Sequence, residues 1–370
     1  MDIKDLNISH KRRLRYKGTN PRRFEEKYKE LNAERYTADI QKVIGRGQTP
    51  AGTHRPICVK ELLDVLDPKP GMTGLDATLG YGGHAREILK KIVPGGKLYG
   101  IDVDPIELPR TETRLRKLGF GDEVLIVRRM NFAGLPQLVT EIGCGFDFIL
   151  ADLGVSSMQL DDPSRGFSYK NDGPLDLRLN PHKGRPASEL LKDIPEEDLI
   201  KLLIDNADEP HARTIAHVLC GQRGFITTTK QCANIIIKSL SGLHQDSRSE
   251  ETKKSIQRVF QALRIAVNEE FEVLDRFLRF LPDALKSGGK AAILTFHSGE
   301  DRRVKKSFRR GLRTGIYGSI AREPIRPSSK ERHDNPRSVS AKLRWAVKQH
   351  KMWVGPQLGA GSLQELNSQA

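Results

Sequence analysis

The segment that most constrains this chain is Leu75-Asp-Ala-Thr-Leu-Gly80-Tyr-Gly82-Gly83-His84-Ala85, an aliphatic strand running into a glycine-rich turn that opens a helix. Such a turn needs glycine because the backbone must bend sharply and a ligand must approach it closely. Roughly twenty residues on, a second strand ends in Ile101-Asp102-Val103-Asp104-Pro105. An acidic side chain at that tip can accept both hydroxyl hydrogens of a ribose. Together these elements predict an adenosine-binding unit in a parallel sheet, with its ligand outside the carboxyl ends of the strands. Gly80-x-Gly82-x-x-Ala85 also satisfies the dinucleotide pattern. On this motif alone, a nicotinamide cofactor and S-adenosylmethionine both remain open.

The strands predicted from short aliphatic runs span 74–77, 97–103, 124–128, 146–152 and 290–296, and a helix follows the first at 85–92. Runs of this kind suit a sheet buried on both faces. Between the fourth and fifth strands lies a long stretch of helical spacing, with helices expected at 188–203, 210–220, 229–240 and 253–280 and an N-cap run at Thr227 to Thr229. The last of these, through Phe260, Leu263, Ala266, Val267 and Phe271, is expected to pack back onto the sheet. The fold class is therefore α/β, a Rossmann-like sheet carrying an inserted all-helical domain. The expected divisions are a basic N-terminal extension (1–53), the first part of the sheet domain (54–160), the helical insertion (161–255), the second part with a basic C-terminal segment (256–350), and a tail (351–370).

Charge is distributed unevenly. The formal net charge is +15 over 370 residues, which points to a polyanionic partner. Residues 1–50 carry +6, 51–301 carry −3 and 302–350 carry +12, so the centre is mildly acidic and the ends are basic. No apolar run approaches the length of a membrane helix, and the N-terminus lacks the apolar core of a signal peptide. The expectation is a cytoplasmic protein, without a membrane partner. The four cysteines are widely spaced with no C-x-x-C pair, so free thiols are expected and no metal site.

Chemistry belongs at the strand tips. The fourth strand ends Ala151-Asp152-Leu-Gly-Val-Ser156-Ser157-Met-Gln159-Leu-Asp-Asp162. Asp152 and the small polar run after it would face the same crevice as Gly82 and Asp102, although the serines could equally cap a following helix. A long loop from Arg165 to Arg178 could fold over the crevice. The fifth strand ends Phe296-His297-Ser298-Gly-Glu300-Asp301-Arg302, which brings a histidine to the same edge.

With these motifs assembled, the chain from His54 to about Val347 resembles the bacterial 16S rRNA cytosine-N4 methyltransferase family. The fragments that carry the resemblance are His54-x-Pro56-Ile-Cys-Val, Asp76-Ala-Thr-Leu-Gly-x-Gly-Gly-His84, Ile-Asp102-x-Asp-Pro, Asp152-Leu-Gly-Val-Ser-Ser-x-Gln159, Arg165-Gly-Phe-Ser, Gly173-Pro-Leu-Asp, Phe260-Gln-Ala-Leu-Arg-Ile-x-Val-Asn and Phe296-His-Ser. The resemblance implies S-adenosylmethionine as cofactor, 16S rRNA in the small ribosomal subunit as partner, and a monomer or homodimer. It places Gly82, Gly83, His84, Asp102, Phe132, Asp152 and Gln159 against the cofactor. Asp152, Ser156, Ser157 and His297 are the expected catalytic groups: Asp152 for cofactor placement, the serines and adjacent main chain as acceptors for the cytosine amine, His297 to hold the base or relay its proton. The chain departs from the family pattern at Gly299, where leucine is usual, at Ala207-Asp208-Glu209, at Lys254-Ser255-Ile256 and at Val339. These changes avoid the cofactor loop and bear on the RNA target, so a paralogue with another target, or a noncatalytic assembly factor, is the alternative.

Overall fold

The computed structural model describes residues 56–241 and 250–350; the expected N-terminal extension and C-terminal tail lie outside the described residues. The aliphatic runs pair as five parallel strands, β1 (Thr73–Asp76), β2 (Lys97–Asp102), β3 (Leu125–Arg129), β4 (Phe146–Asp152) and β5 (Leu285–Thr295). Two further strands, β6 (Tyr317–Ile320) and β7 (Lys342–Lys348), complete a seven-stranded sheet in the order β3-β2-β1-β4-β5-β7-β6. β7 runs antiparallel to both of its neighbours. The strand order reverses between β1 and β4, and that switch point is where an open α/β sheet places a ligand.

Helices cover both faces. On one side α1 (Val59–Leu66), α2 (Gly83–Ile92) and α3 (Glu107–Lys117) bury Leu62, Leu66, Ile88, Leu89 and Leu115 against Leu98, Phe148 and Leu294 of the sheet. On the other, α4 (Leu135–Ile142) follows β3 and buries Leu135 and Leu138, while a short α5 (Ser157–Asp161) follows β4 and packs Leu160 against the helical segment. The helical segment comprises α6 (Ala187–Asp193), α7 (Glu196–Ala207), α8 (Ala212–Gly221), α9 (Thr229–Leu240) and α10 (Glu250–Asn268). Then come α11 (Glu270–Ala284), α12 (Ser298–Arg313) and α13 (Ser329–Asp334).

Two helices expected to be continuous are broken. The 188–203 stretch divides at Ile194-Pro195, because a residue preceding proline is pushed out of the helical region. The 253–280 stretch divides at Glu269, which adopts φ 51°. That break separates two packing partners. Phe260 and Leu263 of α10 belong to the core of the helical segment, with Leu203, Ile215 and Ile236, and not to the sheet as expected. α11 takes that place, burying Leu274, Phe277, Leu278 and Leu281 against Leu75, Ile149 and Ile293. The expected cap holds: Thr228 and Gln231 form a reciprocal capping box at the start of α9. All four cysteines are free, and no helix among the described residues is long and apolar enough to cross a membrane.

Candidate active site

Of the acidic residues at the strand tips, Asp76, Asp102 and Asp104 are tied down by main-chain donors, while the Asp152 carboxyl accepts from none. Asp102 closes β2 with one carboxylate oxygen accepting from Gly80 N–H (2.8 Å) and the other from Asp104 N–H (2.9 Å). Asp102 thus sets the shape of the glycine turn. Burial pushes its carboxyl upward, and the two N–H donors oppose that rise. Within the turn, a Cβ at Gly82 (φ 78°) would stand 2.8 Å from Thr111 Cγ2, and one at Gly83 would stand 2.3 Å from Pro56 Cγ. These two glycines make room for the protein's own side chains. Gly80 alone of the three is open above, the nearest atom to a Cβ there being Thr78 O at 3.7 Å.

His84, one residue into α2, is buried and joins the turn to the end of β4. Its Nε2 lies 2.9 Å from Ile57 O, and its Nδ1 lies 3.4 Å from Asp152 Oδ2. A carbonyl can only accept, so Nε2 carries a proton, and in the neutral ring Nδ1 presents a lone pair to Asp152. Burial pushes the His84 pKa down and the Asp152 pKa up to about 7, the latter helped by Glu300. Both directions favour a protonated carboxyl facing a neutral imidazole. Asp152 N–H is anchored on Thr78 Oγ1 at 2.6 Å, while Asp152 Oδ1 is buried without a hydrogen-bond partner. Beneath them Asp76, 1 % exposed, accepts from Thr78 N–H at 3.1 Å and is also pushed up to about 7 by burial.

A third layer fixes the loop after β4. Ser156 caps α5, its Oγ accepting from Gln159 N–H at 3.2 Å while Gln159 Oε1 accepts from Ser156 N–H at 2.8 Å. Gln159 Nε2 then donates to Asp104 Oδ2 (2.7 Å), and so does Arg165 Nη1 (2.8 Å). Burial raises the Asp104 pKa, but Arg165 and Gln159 outweigh it and hold the carboxyl below its ordinary value. Arg165 also donates to Leu179 O at 2.7 Å, and Asn268 clasps the same loop through Leu177 O (2.8 Å) and Leu179 N–H (2.7 Å). Between those contacts Leu177 is held at φ 65°, a conformation that costs a branched side chain on the order of 1–3 kcal/mol. From the far end of the chain Arg337 Nη2 pairs with Asp161 Oδ1 at 2.6 Å, and its Nη1 lies 3.4 Å from Ser157 O. Ser157 Oγ makes no hydrogen bond among the described residues.

His297 caps α12 at the tip of β5, beside β4. Its Nε2 is 3.2 Å from Glu300 Oε1 but off the hydrogen-bonding direction, so the contact is electrostatic and both ring nitrogens lack an aligned partner. Burial raises the Glu300 pKa, but His297 and the Phe296 N–H outweigh it and lower it. Arg264 is held by two contacts to Glu270 (2.8 and 3.0 Å) on the same side. Phe132 sits after β3 with its ring edge-on to Phe277, centroids 5.1 Å apart.

A family model for the MraW methylase family matches residues 51–349. The chain belongs to the MraW methylase family. It is 54% identical over 342 residues to ribosomal RNA small subunit methyltransferase H 1 of Lachnoclostridium phytofermentans, covering 92% of this chain and 93% of that protein. It is also 54% identical over 340 residues to methyltransferase H 2 of Alkaliphilus metalliredigens (91% and 97% covered). With methyltransferase H of Crocosphaera subtropica it shares 42% over 297 residues, 80% of this chain and 90% of that one. The 92% cover leaves about thirty residues unmatched, fewer than the fifty before the family match. Part of the N-terminal extension is therefore shared with the first of these relatives. Methylase membership decides between the two ligands left open by the glycine pattern, in favour of S-adenosylmethionine.

Within the methylase, several departures from the family pattern have structural partners. A Cβ at Gly299 would stand 2.6 Å from Phe271 Cζ and 3.2 Å from His297 Nδ1, so Phe271 occupies the space of the usual leucine. Arg303 stacks over the same ring at 3.6 Å. Asp208 meets Ser298 Oγ (3.3 Å) and Arg302 (3.2 Å), tying the helical segment to α12. Glu209 is buried, accepting from Ser255 Oγ at 3.0 Å, which pairs two of the divergent positions with each other. Asp76, Thr78 and Asp104 stand inside motifs of the sequence without being assigned there to the site, and their signal is their place at a strand tip; Arg337 joins the site only through the fold.

Proposed function

We propose that this methylase transfers a methyl group from S-adenosylmethionine to the exocyclic N4 amine of a cytosine in the 16S rRNA of the small ribosomal subunit, in the cytoplasm. The reading is carried by one observation: a group of carboxylates around an open glycine turn, Asp76 and Asp104 buried and Asp102 and Asp152 half-buried, in a chain that matches the first two rRNA small subunit methyltransferases named above over nine tenths of its length. Those residues suit the donor. Asp102 stands at the ribose position, Gly80 is open above, and the unpartnered Asp152 Oδ1 offers a buried acceptor to a cation.

When bound, the donor supplies an electrophilic methyl on a sulfonium that departs as a neutral thioether, so nothing has to activate it. The cytosine amine is the harder partner, because its lone pair is delocalised into the ring. The protein's task is to orient that amine and accept from its N–H groups in a water-poor crevice. Ser157 Oγ and the main chain between Asp152 and Ser157 supply acceptors, with Ser156 holding their geometry as a cap. His297, whose ring nitrogens are unaligned with any partner, holds the base or receives its proton. Gly82, Gly83, His84, Phe132 and Gln159 frame the donor, and residues 161–255 read the RNA. The base must be unstacked to reach the crevice, which costs least in a single-stranded junction.

The test is incubation of the purified chain with labelled S-adenosylmethionine and naked 16S rRNA, small subunits or whole ribosomes, followed by mass-spectrometric mapping. One N4-methylated cytosine in 16S rRNA is the expected product. Labelling elsewhere, or at no nucleotide, overturns the reading.

A further inference from the structure

The net +12 of residues 302–350 is not one surface. Arg337 is paired with Asp161, and Lys342 and Arg344 are both spent on Asp301, with Arg344 buried. Arg302 and Arg303 reach Asp208 and Asp275. What remains is concentrated on α12. Its Lys306, Arg309, Arg310 and Arg313 are exposed, and no described carboxylate lies within ion-pair distance of any of them.

Their spacing puts them on one side of the helix. Arg302, Lys306, Arg309 and Arg313 recur at i, i+4, i+7 and i+11, with Arg310 beside them, which is a single stripe on an α-helix. The opposite stripe, Val304, Phe308 and Gly311, is buried against the sheet. A Cβ at Gly311 would stand 2.3 Å from the Tyr317 ring, so the helix is fixed in its rotation and the cations cannot turn inward. The uncompensated part of the stripe, Lys306 to Arg313, is about 11 Å long, and it lies on the helix that has His297 at its N-cap. An ordinary solvated face mixes both signs, yet no acid occurs between Arg302 and Arg322. The helix dipole favours cations in the last turn, which accounts for Arg310 and Arg313 but not for Lys306 and Arg309.

We infer that the outward face of α12 is a phosphate track that carries the RNA backbone flanking the target base away from the crevice. This rests on the rRNA reading above and deepens it. The other C-terminal cations named here, Arg337, Lys342 and Arg344, serve the fold.

The experiment compares full-length wild type with a Lys306→Gln, Arg309→Gln, Arg310→Gln, Arg313→Gln variant. A control variant, Lys91→Gln, Lys117→Gln, Arg128→Gln, Lys201→Gln, loses the same charge from scattered exposed positions. Binding to naked 16S rRNA is titrated against salt. The track predicts that the slope of log affinity against log salt falls by about 3, since each single-strand phosphate contact adds about 0.7, and that KM for RNA rises at least tenfold with cofactor affinity unchanged. The control keeps the wild-type slope. An unchanged slope in the track variant, or an equal loss in the control, overturns the inference. If the wild type binds with the steep slope but methylates no RNA, the track stands and the proposed reaction falls. Arg309→Glu alone, on the solvent face, provides the same comparison should the fourfold variant lose its circular-dichroism spectrum.

Discussion

His84 Nδ1 faces the Asp152 carboxyl at 3.4 Å, while its Nε2 is committed to the Ile57 carbonyl. Burial favours the protonated carboxyl on one side of that contact and the neutral imidazole on the other.

This pair sets a pH dependence. Asp152 titrates near 7 in the folded chain, against about 3.9 in an unfolded one. The stability it contributes is fully present below the unfolded value and is lost as pH rises through 7. Asp152→Asn lacks that loss, so relative to wild type it gains stability between pH 5 and pH 8. Urea midpoints at the two pH values measure the difference, and a variant that instead loses ground toward pH 8 would contradict the assignment.

The two serines separate by chemistry. Ser156→Ala removes a helix cap and costs about 1 kcal/mol, while Ser156→Gly costs only a few tenths. Ser157→Ala leaves stability unchanged but lowers the single-turnover methylation rate about tenfold, the worth of one hydrogen bond. A Ser156→Ala, Ser157→Ala chain with the wild-type rate removes both from the chemistry.

Arg165→Ala strips a buried partner from Asp104 and frees the loop carbonyls at Arg178 and Leu179. A loss of about 3–5 kcal/mol in urea denaturation is expected. Adding Asp104→Asn to the same chain should recover part of it, because the stranded charge is gone. Strict additivity of the two changes would count against the pairing.

Gly299 and Phe271 are predicted to be coupled. Gly299→Leu overpacks the site and costs about 1–3 kcal/mol, and the cost shrinks by at least about 0.5 kcal/mol when Phe271→Ala is present. Equal costs in both backgrounds would show that the ring does not fill the leucine's place.

The parallel sheet and its tips were legible because each strand is an aliphatic run ended by a functional residue, as with Ile101-Asp102 and Ala151-Asp152. β6 and β7 were not, because Lys342-Leu-Arg344-Trp hides its pattern behind cations that only the fold shows to be paired with Asp301. The break at Glu269 was equally hidden: no proline or glycine marks it, and only the competing demands of two cores force the turn. Within the site, residue types predicted position but not partnership. The contact of Gln159 with Asp104, and the closeness of the 82 and 83 backbone to Thr111 and Pro56, have no signature in residue type.

The clasp of Arg337 on Asp161 spans 176 residues of sequence. The loop that carries Ser156 and Ser157 is therefore pinned by one of the last segments of the fold to be made. A chain stopped before Arg337 would hold every residue of the glycine turn and the strand tips, and yet present them around an unbraced α5. The position of α5 thus depends on a residue that the ribosome adds only after α13 is complete.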